Sequence, residues 1–555
     1  MTGLRDDAGP RTAKVRFPFG GQVDSVLTIM EGAKRRLKDG RVSFQASPMN
    51  LALVQRYFPD APVELPFDYS QPVGEDEPCG LYAGPARLPL YEFQRQAIEA
   101  AGLQPFFAFF MEMGTGKTRC AIEKAGRHYA AGHITGVLIV TFKGVHRQWI
   151  ETQVPTHLGT IDGEPIDCRA EFWDGKKAPS WGQKYRNRLE IFAATFPSLT
   201  SKNGEKAVEE FTIRHQGRLM AIIDESHAIK TPHSARSEAC IAIGHRARIR
   251  LILTGTPVPA KIEDEWSQSL FLSEVIFGSR YVTTFRAAYT DSDGNPRNLP
   301  AFQEKIAPYC YRVTKDEALD LPPKIYDQYK FDLLPNARRV YNELKRNFLT
   351  ETDSGETVTV QNAAVLALRL QQITCGVLVD EKDADGSPGD VHRVGTERED
   401  ALGELLTKFA EERKIIVWCR FTRDVDAAVR VCTATNQGRV VTLDGRSKDA
   451  ERRTIEADFM RDDNVKFLVA MPAVAGTGYN FQGACRTAIY YSNSFNSVER
   501  WQSEDRIHRI GTTHPVQYID IVCKNSVDEG ILANLKAKTN FATLVMDLIK
   551  REISK

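Results

Sequence analysis

The string Glu112-Met113-Gly114-Thr115-Gly116-Lys117-Thr118 carries residue types whose order suits polyphosphate chemistry. It follows an apolar run at 106–111 and precedes a helical pattern at 119–125. A glycine-bearing loop between strand and helix points backbone N–H groups and a helix N-terminus at phosphate. Lys117 can then reach the β and γ phosphates, and the Thr118 hydroxyl can ligate magnesium. The full phosphate-loop pattern has Gly at position 111, where this chain has Met. Taken alone, the string also reads as a glycine-rich turn capping a helix. A second constellation, Asp224-Glu225-Ser226-His227, closes the apolar run Ala221-Ile222-Ile223. Two adjacent carboxylates at a strand tip suit a magnesium ligand, Asp224, and a base that polarises the attacking water, Glu225. A solvated Asp-Glu pair at a strand end is the plainer reading. The placement of this pair half a lobe after the lysine loop favours one site for ATP and Mg2+. Neither string says what the ATP is used for.

Such residues need a scaffold that presents strand ends. Short unalternating apolar runs at 106–111, 137–140, 219–223 and 249–253 read as strands buried on both faces. A second series follows at 415–418, 440–443, 467–470, 489–491 and 518–522. Amphipathic helical stretches lie between them. The pattern predicts an α/β fold of two tandem parallel-sheet lobes, residues 85–318 and 319–555. Leu- and Ala-rich patterns such as 362–370, within 260–400, predict helical protrusions. Residues 1–84 read as a small α+β region with its linker. A strand around Val15-Arg16-Phe17-Pro18-Phe19, a basic helix at Lys34-Arg35-Arg36-Leu37-Lys38 and a second helix over 44–58 are expected there. Basic residues beside Phe17, Phe19 and Phe44 suit a DNA junction or single strand, and a small cap packed on the first lobe fits them equally. The Pro- and Gly-bearing stretch 71–89 reads as a linker, and 291–300 and 383–400 as exposed loops.

Composition narrows the function classes. With 73 basic and 72 acidic residues the net charge is +1, which argues against a bulk polycation and confines any nucleic-acid contact to a local surface. The ten cysteines include no CxxC pair, so neither a zinc site nor a dithiol motif is indicated. No apolar run reaches membrane-spanning length. The expectation is a soluble protein without a membrane partner, cytoplasmic, or nuclear if the host is eukaryotic.

Over residues 88–541 the chain resembles a Swi/Snf-type motor of helicase superfamily 2, with several motifs in that family's order. Leu90-Tyr91-Glu92-Phe93-Gln94 is similar to the glutamine motif, which implies that Gln94 contacts adenine. The loop residues Met113, Gly114, Thr115, Gly116, Lys117 and Thr118 match the family's Met-Gly-x-Gly-Lys-Thr string. Asp224-Glu225-Ser226-His227 resembles the Asp-Glu-x-His box, and Leu253-Thr254-Gly255-Thr256-Pro257 the third motif. The resemblance gives His227, Thr254, Gly255, Thr256 and Gln502 coupling roles between phosphate site and DNA. Ala475-Gly476-Thr477-Gly478-Tyr479-Asn480 looks like the fifth motif, implying that Gly476, Thr477 and Gly478 lie against the DNA backbone. Gln502-Ser503-Glu504-Asp505-Arg506-Ile507-His508-Arg509 is close to the sixth, in which Arg506 and Arg509 swing toward the γ-phosphate as the lobes close. The lobes are then RecA-like. At 141–143 the chain has Thr-Phe-Lys where the family usually has a proline. The N-terminal region faintly resembles the domain preceding the motor in annealing helicases.

The resemblance implies an ATP-dependent DNA translocase, monomeric, acting on duplex or branched DNA. A strand-separating helicase and a nucleotide-dependent DNA clamp are the alternatives.

Overall fold

The computed structural model describes residues 12–15, 42–45, 63–64, 79–176, 178–182, 188–255, 262–279, 281–291, 295–353, 360–379, 391–475 and 479–537. The chain divides into two compact units, Met1–Ala318 and Leu319–Lys555.

The first unit is built on seven strands: β1 (Phe106–Met111), β2 (Gly136–Thr141), β3 (Cys168–Phe172), β4 (Leu189–Thr195), β5 (Leu219–Asp224), β6 (Ile249–Leu253) and β7 (Cys310–Val313). Their order is β7-β1-β6-β5-β2-β4-β3, and every pairing is parallel. Strands β2, β4, β5 and β6 are buried along their whole length, and β1 at all but its first residue. Such strands read as continuous apolar runs because helices cover both sheet faces.

Four strands of this sheet depart from that pattern, β6 through Arg250, which is buried within it. Edge strand β3 carries Arg169 and Glu171, and edge strand β7 is only half-buried at Cys310 and Tyr311. Inside β4 sits Glu190, a carboxylate that breaks the apolar run but is paid for by Arg214, whose Nε and Nη2 both donate to it, and by His215 Nε2 at 2.9 Å.

In the second unit six parallel strands, β8 (Lys324–Phe331), β9 (Ile415–Trp418), β10 (Arg439–Leu443), β11 (Val465–Ala470), β12 (Thr487–Tyr490) and β13 (Val516–Cys523), run in the order β8-β13-β12-β9-β11-β10. The helices Pro335–Asp353 and Val360–Thr374 place Tyr341, Leu366 and Leu370 in its core. The helices Trp266–Leu272, Val282–Tyr289 and Leu299–Ile306 join the core of the first unit, where Phe277, Phe285, Tyr289 and Phe302 form an aromatic cluster.

Three local expectations change, the first at the exposed loop read over 383–400, where Val391–Arg393 is a strand and Glu397 opens the helix Glu397–Lys408 with Arg398 buried in it. The second half of the stretch read as a linker is part of the first unit: the Cys79 N–H donates to Ala130 O at 2.6 Å, and Tyr82–Ala83 pairs with Thr160–Ile161. Phe44 lies in a strand, Val42–Gln45, that pairs antiparallel with Thr12–Val15, rather than opening a helix. The basic run at 34–38, Phe17 and Phe19 lie outside the described residues. Among the described residues no helix is long and apolar enough to cross a membrane.

A buried ion pair ties the second unit together. Arg398, 3% exposed, donates to Thr374 O, Ile521 O, Tyr491 O and the Asp528 carboxylate. Replacing Asp528 with alanine strands this guanidinium without its counter-charge, which costs about 3–5 kcal/mol. A denaturant titration of Asp528→Ala should show the midpoint for this unit fall accordingly; an unchanged midpoint would remove the pair from the stability argument.

Candidate functional site

At the carboxyl end of β1 the chain turns through Gly114 and Gly116 into the helix Lys117–Ala130. Both glycines have left-handed backbone, φ 79° and 86°, a region a side chain enters only at a cost of about 1–2 kcal/mol. Gly116 is doubly constrained, because a Cβ there would run into the Gln94 amide nitrogen. The free N–H groups of the helix's first turn face the loop, the arrangement that binds phosphate. Lys117 Nζ donates to Met111 O at 3.0 Å, which keeps the ammonium at the base of the loop. The Thr118 hydroxyl makes no hydrogen bond among the described residues.

Gln94 grips this loop directly. Its Oε1 accepts from the Tyr91 N–H at 3.1 Å, and its Nε2 donates to Thr115 O at 2.9 Å. The same amide thereby caps the helix Glu92–Ala101 and ties it to the loop. At the far end of that helix, buried Lys124 donates to Ala101, Gly102 and Gln104 carbonyls at 3.0–3.1 Å, a cation placed where the helix dipole favours one.

Two neighbouring strands bring the other groups alongside. Leu253 of β6 pairs with Phe109 of β1 and with Asp224 of β5, so the carboxyl ends of the three strands lie side by side. Thr254 is fully buried, and a Cβ on Gly255 would stand 3.1 Å from Met113 N, so the third-motif string lies against the lysine loop. Thr256 lies outside the described residues.

Asp224 is 6% exposed, and its Oδ2 accepts from Trp149 Nε1 at 2.8 Å and Thr141 Oγ1 at 3.2 Å. Burial, and next the adjacent Glu225 carboxylate, push the Asp224 carboxyl above the ordinary carboxylate range; Trp149, Lys117 and Thr141 pull it back. Glu225 has φ 55°, a left-handed conformation uncommon outside glycine, and its Oε2 lies 3.3 Å from His227 Nδ1. Ser226 donates to Gln268 Oε1 at 2.6 Å, anchoring this turn to the helix Trp266–Leu272.

The groups fit a magnesium ion carried by nucleotide. Asp224 Oδ1 accepts no hydrogen bond among the described residues, and a carboxylate with a hydroxyl is the hard-oxygen set that Mg2+ prefers. Among the described residues no group of three or more His, Cys, Asp or Glu could hold a metal alone. Phosphate oxygens would complete the shell.

In the second unit the helix Ser497–Glu504 is held by Arg500, which donates to Glu504, Asn493 and Asp520 and stacks on Tyr490 with its guanidinium 3.5 Å from the ring centre. Gln502 is buried on this helix. Just beyond it the two arginines part company. Arg506 Nε donates to Gln502 O at 3.0 Å and its Nη1 to Tyr479 O at 2.8 Å. Arg509 is half-buried, and its guanidinium donates no hydrogen bond among the described residues. Burial lowers its pKa, while Asp505 and Glu456 oppose that. Gly476, Thr477 and Gly478 lie outside the described residues.

Thr141 and Trp149 are the site groups that sequence alone does not single out. Their spacing matches no phosphate or carboxylate motif, and only the strand order brings them to Asp224.

Comparison with known proteins covers most of these elements. The SNF2-related domain matches residues 108–377, and the helicase conserved C-terminal domain matches residues 397–511. The chain is similar to an uncharacterized ATP-dependent helicase of Mycoplasma genitalium, 26% identical, covering 59% of this chain and 31% of that protein. It is also similar to the ATP-dependent helicase fft1 of Schizosaccharomyces pombe, 24% identical over 80% of this chain and 51% of that one. The chain thus spans a third to a half of the length of these two curated relatives. Among solved structures, the SWI2/SNF2 ATPase core of Sulfolobus solfataricus in complex with dsDNA aligns with 81% of this chain and 91% of its own, at 20% identity and a TM-score of 0.37. The two matches follow one another in chain order, so the chain carries an SNF2-related domain and, after it, a helicase conserved C-terminal domain.

Proposed function

We propose that this protein is an ATP-driven DNA motor, a monomer that couples hydrolysis to translocation on duplex or branched DNA or to its remodelling. The observation that carries the reading is the side-by-side placement, at three adjacent strand ends, of the Lys117 loop, the Thr254-Gly255 string and the Asp224-Glu225 pair. In it Gln94 holds the loop and contacts adenine, while Met113, Gly114, Thr115 and Gly116 shape the cradle and Lys117 binds the β and γ phosphates. Thr118 and Asp224 would hold Mg2+, which when bound neutralises charge on the phosphates. Glu225 orients and polarises the attacking water, with His227 beside it. Arg509 stabilises the charge that develops on the γ-phosphoryl group, while Arg506, fastened to Gln502 and Tyr479, orders the end of the fifth-motif loop. Thr256 and Gln502 serve coupling, and Gly476, Thr477 and Gly478 contact the DNA backbone.

ATP turnover measured across single-stranded, duplex, forked and RNA ligands tests the proposal, with the largest stimulation expected from duplex or forked DNA. Triple-helix displacement without unwinding of a forked duplex would mark a translocase, and unwinding would mark a strand-separating helicase. Turnover indifferent to every nucleic acid would overturn the motor reading and leave a nucleotide switch. Phosphate contacts would supply most of the grip, so DNA affinity should fall steeply with salt and depend little on sequence. A flat salt dependence would count against it.

A further inference from the structure

Both hydrogen bonds to Asp224 come from one short segment. Thr141 is the last residue of β2, and Trp149 opens a π-helical turn, Trp149–Gln153, directly after the helix Val145–Gln148. Isolated π turns re-aim a side chain that a regular helix would carry elsewhere. Here the turn sets Trp149 in the interior, 1% exposed, with its only polar hydrogen on the carboxylate.

Rotation of a carboxylate about its last side-chain bond is soft, with broad, roughly two-fold wells. Two donors on one oxygen remove that freedom. Thr141 and Trp149 both hold Oδ2, and Oδ1 accepts nothing among the described residues. Both donors are neutral, so they orient the group without cancelling the charge that a cation needs. A lysine or arginine in either place would compete for it.

We infer that Thr141 and Trp149 are positioning residues that lock Asp224 through Oδ2 and turn Oδ1 toward nucleotide-bound Mg2+. The inference rests on the proposed role of Asp224 as a magnesium ligand. Loss of such an outer partner lowers metal affinity by about 10–100-fold.

The test uses the full chain and the affinity of a fluorescent, non-hydrolysable ATP analogue, measured in EDTA and then against rising Mg2+. Trp149→Phe keeps an aromatic ring and removes the donor, and Thr141→Val is nearly isosteric. Each should leave affinity in EDTA unchanged and raise the Mg2+ concentration at half-enhancement, by about tenfold for Trp149→Phe. Asp224→Asn should abolish the enhancement. If Asp224→Asn loses it while both donor variants follow the wild type, the positioning role is overturned and Asp224 remains a ligand. If Asp224→Asn keeps it, the ligand assignment itself falls. An equal weakening in EDTA and in Mg2+ for both donor variants would mark the two residues as packing alone and overturn the inference.

Discussion

Replacing Arg509 with alanine is expected to cut DNA-stimulated ATP turnover by about 10³-fold or more while leaving ATP affinity near that of the wild type. The magnitude follows from what a guanidinium contributes to phosphoryl transfer: charge accumulates on the γ-phosphoryl oxygens in the transition state, and one well-placed arginine is worth about 10³–10⁵ in rate. The structure separates the two sixth-motif arginines. Arg506 is fastened to the carbonyls of Gln502 and Tyr479. Arg509 donates no hydrogen bond among the described residues, and Asp505 and Glu456 help keep it charged. Its side chain is therefore available to a phosphate without first breaking a bond within the protein. Steady-state turnover beside equilibrium nucleotide binding checks the prediction. Turnover within a few-fold of wild type would assign the finger elsewhere, with Arg506 the next candidate.

The second large effect is expected at Glu225. Glu225→Gln should lower turnover by about 10²–10⁴-fold, the usual contribution of a positioned general base, with ATP binding retained. The amide keeps the size of the side chain but cannot polarise water as a carboxylate does. Glu225 stands at the C-terminal tip of β5 in a left-handed conformation, which turns its side chain away from the strand's alternation and beside His227. A residue in that conformation carries about 1–3 kcal/mol of strain that the surrounding structure must hold, a pattern concentrated at functional sites. Single-turnover hydrolysis of pre-bound ATP isolates the chemical step. Unchanged single-turnover rates would remove Glu225 from the reaction, whereas loss of binding would make its role structural.

How much was legible beforehand follows from burial. The runs at β1, β2 and β5 are apolar on both faces because the parallel sheet is covered on both faces, so their composition announces them, and β6 departs from this only at buried Arg250. The same holds for β9, β11 and β12 of the second unit. Edge strand β8, with its interior residues Ile325 to Gln328 exposed, has no such run and escapes the pattern. β4 escapes because its buried Glu190 is compensated by Arg214 and His215, residues 24 and 25 positions away. Its charge is invisible as a core feature until the partners are in place.

What the amino-acid order determined by itself is the chemistry that follows directly from strand ends: a glycine loop leading from a strand into a helix, and an Asp-Glu pair at the tip of β5. These depend on neighbours a few residues apart, and local backbone geometry decides them. The orientation of the Asp224 carboxylate depends on Trp149 and Thr141, 75 and 83 residues away. The difference between a fastened Arg506 and an available Arg509 depends on Tyr479, 27 residues from Arg506. Only the tertiary structure decided these, because a hydrogen bond selects its partner by distance and angle in space, and strand order, which no local pattern encodes, sets both.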